Sequence, residues 1–100
     1  MACYKYGYLH VAEVQLLPKK RRQPAERQVW ACLLTAGAPL TWQCNTHIGA
    51  LNAVGSQGWI AERGVQSATP ERVHQAIVAK TGEALVSSIS TQHFMRIRTA

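Results

Sequence analysis

The chain has 100 residues, 47% apolar and 16% charged, a globular composition long enough for one domain that buries roughly two-thirds of its unfolded surface. It contains no aspartate, and its only side-chain carboxylates are Glu13, Glu26, Glu62, Glu71 and Glu83, which excludes aspartate-built magnesium, calcium and phosphoryl-transfer sites. The net charge of +6 is concentrated in one segment, where Lys19, Lys20, Arg21, Arg22 and Arg27 against Glu26 give +4.

Residues 3 to 14 alternate, with Tyr4, Tyr6, Tyr8 and His10 on one face and Lys5, Leu9 and Val11 on the other, and aromatic and β-branched content makes this a strand. Pro18 and Pro24 bracket the basic cluster and cannot continue a ladder, so residues 18–27 read as a solvated basic loop. Val29 to Leu34 forms a second apolar run, returning antiparallel to the first strand and broken by Gly37 and Pro39. The spacing of Ile48, Leu51 and Val54 predicts a helix from about Trp42 to Val54, capped by Thr41 or Asn45. Gly55 is expected to hold the left-handed position that ends it, and Gly58 gives a second permissive position before a strand from Trp59 to Val65, with Trp59 as core anchor. Thr69-Pro70-Glu71 reads as a helix start, Val73, Ala76 and Ile77 as its apolar stripe, and Gly82 as its end. Ala84–Ile89 and His93–Arg98 are two further strand candidates.

The order β-β-α-β-α-β-β predicts an α+β domain: a mostly antiparallel sheet of about five strands with two helices on one face, ferredoxin-like or a related two-layer sandwich. No run of ~18 apolar residues exists, so no membrane span is expected. Lys5 and His10 interrupt any signal-peptide pattern, so a soluble, cytoplasmic protein is expected. The odd, widely spaced Cys3, Cys32 and Cys44 argue against a disulfide framework.

Leu51, Asn52, Gly55, Gly58 and Trp59 carry a resemblance to a small bacterial and phage family of unknown function. That family has a leucine-asparagine-x-x-glycine-x-x-glycine-tryptophan motif ahead of a strand. It tends to open with a tyrosine-rich strand and close with an aromatic-basic one, and Tyr4-Lys5-Tyr6 and His93 to Arg98 look similar to those ends. Ile60 stands where the family often has an acidic residue, and Ser67 to Ser90, or residues 67–90, looks like a helical insertion. The resemblance implies a fold, and a phage or mobile-element origin, but no catalytic residues.

Cys44 and His47 have a spacing seen in zinc sites, but no second closely spaced Cys/His pair follows. The same two residues could meet on one helical turn as a nucleophile and base, yet no aspartate exists to orient the histidine, and only Glu62 could substitute. His10, His74 and His93 have no partner identifiable by spacing, and Cys32 falls in a core strand, where cysteine behaves as a small hydrophobe. No metal, cofactor or enzymatic activity is therefore expected. Tyr6 to Val11 partly matches an RNA-binding signature that sets aromatic rings on a sheet for base stacking, against the plainer reading of tyrosines packed half-exposed. The Lys19–Arg22 cluster suits phosphates or an acidic protein surface, and equally a solvated loop.

The expected function is a small non-enzymatic interaction or regulatory module. Its partner-binding candidates are Lys19, Lys20, Arg21, Arg22, Arg27, Tyr4, Tyr6 and Tyr8, and a protein partner is favoured. Sequence-independent nucleic-acid binding through the same residues is the alternative, and a small-molecule pocket between helices and sheet is a third. An open sheet edge on the tyrosine-strand side would support a homodimer.

Overall fold

In the computed structural model, which describes residues 3–17 and 26–99, seven elements follow one another. They are β1 (Tyr4–Leu16), β2 (Glu26–Leu34), β3 (Leu40–Cys44), α1 (His47–Gly55), β4 (Trp59–Ala68), α2 (Glu71–Thr81) and β5 (Leu85–Arg98). The strands form one five-stranded sheet in the order β3-β2-β1-β5-β4, with every neighbouring pair antiparallel. The α+β class and the antiparallel sheet are those predicted. The element order, β-β-β-α-β-α-β, differs from the β-α-β-β-α-β of a ferredoxin-like domain.

β1 lies at the centre, paired with β2 through Tyr8–Leu34 to Leu16–Glu26 and with β5 through Tyr4–Arg98 to Leu16–Leu85. From Tyr8 to Leu16 it is paired on both sides, while Tyr4 to Gly7 pair with β5 alone, so the tyrosine strand is a central strand and not the sheet edge that was expected. The sheet edges are β3 and β4.

The core has two halves. Leu9, Val11, Ala31, Leu33, Ala50, Val54 and Met95 form one cluster, which includes α1. Ala12, Val14, Leu16, Trp30, Cys32, Val73 and Ile77 form the other, which includes α2. Odd-numbered residues of β1 and β2 feed the first and even-numbered ones the second, and alternate strand residues point to opposite faces. Each face of the sheet therefore receives one helix, which corrects the prediction that both cover one face. The unbroken buried runs Leu9–Ala12 and Trp30–Leu33 have the same cause, since a strand covered on both sides loses its apolar-polar alternation.

Residues 42–44, predicted as the first turn of a helix, instead pair with β2 as Trp42–Ala31 and Cys44–Val29. The helix starts later, capped by Thr46, whose hydroxyl accepts from the Gly49 amide at 2.9 Å. Ala50 and Val54 are its buried residues, while Ile48 is exposed. Gly55 does not hold the left-handed position; Gly58 does, at φ 100°, where the turn delivers Trp59 into β4. Trp59 is only part-buried against the α1 cluster, whereas Trp30 is buried, its indole N–H donating to Gln28 at 2.9 Å. α2 is closed by Gly82 at φ 70°, as predicted, but its start carries no side-chain cap. Thr69 instead meets the Ser88 hydroxyl at 2.6 Å. The two predicted C-terminal strands are one 14-residue strand, because Ser90, Thr91 and Gln92 pair with both β1 and β4. Residues 67–90, predicted as a helical insertion, hold the end of β4, all of α2 and the start of β5.

Candidate functional site: an aromatic and arginine sheet face

On the α2 face, the helix covers the Ala12–Leu16 half of β1 and leaves the Tyr4–Tyr8 half open. Strand alternation puts Tyr4, Tyr6 and Tyr8 on this one side, as predicted from the sequence. The β1–β5 register then sets Arg98, Arg96 and Phe94 directly opposite them. Tyr6 and Phe94 stack with centroids 5.5 Å apart and planes 13° from parallel. Tyr8 lies 5.6 Å from Phe94 at 59°, and Tyr4 lies 6.5 Å from Tyr6. The Arg96 guanidinium sits 5.5 Å above the Tyr4 ring, a cation–π contact, and its Nε approaches Glu62 at 3.7 Å.

All four rings are between 40% and 54% exposed, and Ile60 beside Arg96 is 50% exposed. A continuous apolar surface of this kind on a folded chain marks a contact site more often than scattered single residues do. Next to the rings, Tyr6, Tyr8, Leu34, Thr35, Arg72 and Phe94 line a shallow hollow of about 390 Å³. Arg72 comes from the first turn of α2, so β1, β2, β5 and α2 all supply the border.

The basic cluster Lys19, Lys20, Arg21 and Arg22 lies outside the described residues. Its flanks, Leu17 and Glu26, leave from the end of β1 opposite Tyr4–Tyr8, and at ~3.3 Å per residue Leu16 is about 33 Å from Tyr6. Arg27, predicted in that loop, is in β2 and pairs with Glu13 at 3.3 Å, both side chains well exposed. The predicted residues thus divide into a tyrosine group at one end and a basic segment entered from the other. Sequence reasoning missed Phe94, Arg96 and Arg72 as members of the face, because only strand register and helix docking bring them to it.

The α1 face carries a second cluster that spacing did not show. His47, the first residue of α1, has its Nε2 at 2.9 Å from Nε2 of His93 on β5, the rings near-perpendicular at 82°. His93 is buried, and its Nδ1 lies 3.3 Å from the Glu62 carbonyl oxygen. Burial pushes the His47 pKa below its ordinary value, His93 pushes it the same way, and Glu13 opposes them. Cys44, considered with His47 at the sequence level, ends β3, and burial raises its thiol pKa. That shift disfavours the thiolate a nucleophile or soft-metal ligand needs. Among the described residues no group of three His, Cys, Asp or Glu side chains converges on a point. No helix among them is long and apolar enough to cross a membrane.

Compared with family models, curated proteins and solved structures, the chain finds no match.

Proposed function

We propose that this protein is a non-enzymatic binding module and that its α2 face takes single-stranded nucleic acid with little sequence preference. The observation that supports this reading is the exposed, near-parallel Tyr6–Phe94 stack flanked by Tyr4, Tyr8, Arg96 and Arg98 on one sheet surface. Aromatic rings set on a sheet stack bases of any identity, at about 1–3 kcal/mol per base, while cations beside them meet the phosphates. A chain of net charge +6 adds long-range attraction for a polyanion.

The test is fluorescence anisotropy with labelled single-stranded oligonucleotides of several sequences at low and moderate salt. The wild-type chain is expected to bind all of them, more weakly as salt rises. Tyr6→Ala with Phe94→Ala should weaken every one by ten-fold or more. Alanine at Lys19, Lys20, Arg21 and Arg22 together should flatten the salt slope. No binding at low salt, or binding indifferent to loss of both rings, refutes the proposal.

A protein partner is the second reading, and a different feature favours it. Leu33, Leu40, Trp42, Ala53, Val54 and Gln57 line a cleft of about 360 Å³ between edge strand β3 and α1. Leu40 there is 58% exposed on a strand whose outer ladder is open.

A further inference from the structure

We propose that His47 and His93 form a two-imidazole site for a divalent transition metal of the Cu(II) or Ni(II) class. It rests on features of the α1 face alone and is independent of the nucleic-acid reading.

The tautomers follow from the partners. The Glu62 carbonyl can only accept, so His93 carries its ring proton on Nδ1 and donates it there. That leaves the His93 Nε2 lone pair aimed at His47, whose own Nε2–H fills the gap in the metal-free pair. An imidazole whose far N–H is fixed by a backbone carbonyl is the arrangement that orients histidine ligands at metal centres. His47 joins it by moving its ring proton to Nδ1 through solvent and turning its part-exposed ring, so that an ion held on the His93 Nε2 lone pair would meet the His47 Nε2 lone pair as well.

The number of protein ligands selects among metals. Imidazole nitrogen is a ligand of copper, nickel and zinc, but zinc sites are held by three or four protein ligands, whereas two nitrogens with the remaining positions left to solvent suit the tetragonal coordination of Cu(II) or Ni(II).

The backbone is shaped around this pair. The register of β4 against β5 shifts between Ala61 and Gly64, so that the Glu62 carbonyl meets His93 and Gly64 lies opposite it. A Cβ on Gly64 would stand 2.5 Å from His93 Cε1 and 2.9 Å from its Nδ1, so only glycine leaves room for the ring. His47 is part-exposed, which gives the ion a way in, and Glu13 supplies negative potential nearby. With no third protein ligand among the described residues, solvent would complete the coordination and the metal would exchange freely.

The experiment is calorimetric titration of the full chain with Ni(II) in a non-chelating buffer near neutral pH. A Cys3→Ser background removes the exposed thiol near the N-terminus as a competing ligand. One saturable site per chain and a Ni(II)-dependent rise in melting temperature are expected. His47→Gln, at the part-exposed start of α1 where the fold is not at risk, should weaken binding at least ~10-fold, the lower range for disturbed metal sites. His74→Ala, on α2, should leave it unchanged. Absence of saturable binding, or equal affinity in His47→Gln, overturns the proposal.

Discussion

Replacing Gly64 by alanine tests whether the histidine pair is built into the sheet or is incidental to it. The new Cβ would lie 2.5 Å from His93 Cε1, 2.8 Å from Thr91 Cγ2 and 2.9 Å from His93 Nδ1. Ordinary contact begins near 3.4 Å, so the imidazole must move by about 1 Å. His93 is buried, and moving it breaks the 2.9 Å contact with His47 and the 3.3 Å contact with the Glu62 carbonyl. Overpacking of this kind costs about 1–3 kcal/mol, and alanine returns about 0.5–1 kcal/mol through the lower backbone entropy of the unfolded chain. The expected net loss is about 1–2 kcal/mol, which for a domain of this size lowers the melting temperature by several degrees. Gly55→Ala is the control: no atom lies within 4 Å of its new Cβ and its φ is not positive, so the same entropy term should leave it neutral or stabilised by about 0.4–1 kcal/mol. Urea unfolding followed by circular dichroism measures both. A Gly64→Ala protein as stable as the parent would show that His93 is free to move and that the packing described around it is wrong.

Ile77→Ala should cost about 2–5 kcal/mol in urea unfolding, because Ile77 is fully buried on the face of α2 that packs against β1 and β2; a smaller loss would mean that residues 67–90 are dispensable to the core. Trp30→Ala should cost about 3–5 kcal/mol and part-buried Trp59→Ala clearly less, with the reverse ranking in parallel melts counting against the two-cluster core. Stability should also fall in mild acid. His10 is held below the ordinary histidine value of 6.5 by burial, and His47 by burial and then by His93, so the unfolded chain takes up protons first. Stability is then fullest above about pH 6.5 and is lost as pH falls through the lowered folded-state values; unfolding midpoints that are flat from about pH 7.5 to about pH 5 would contradict this.

Local chemistry made much of the fold readable in advance. The alternation of Tyr4, Tyr6 and Tyr8, the apolar run at Val29–Leu34, the stripe of Val73 and Ile77 and the left-handed Gly82 act over a few residues, and each lies where its pattern predicts. The failures in the sheet share one cause: a long-range partner decided them. Trp42 to Cys44 becomes strand because β2 offers an open ladder, and Ser90 to Gln92 stays in strand because β1 and β5 pair without a break there. The same holds for which face each helix covers, since α1 and α2 dock on alternate residues of β1 that hydropathy alone makes equivalent. The candidate sites divide in the same way. Three tyrosines on one side follow from a period of two residues, but Phe94 and Arg96 reach them only through the β1–β5 register. His47 and His93, separated by 46 positions, meet only because α1 lies across the strand that carries His93. Residue periodicity placed each side chain on a face, and strand register and helix docking decided what it faces.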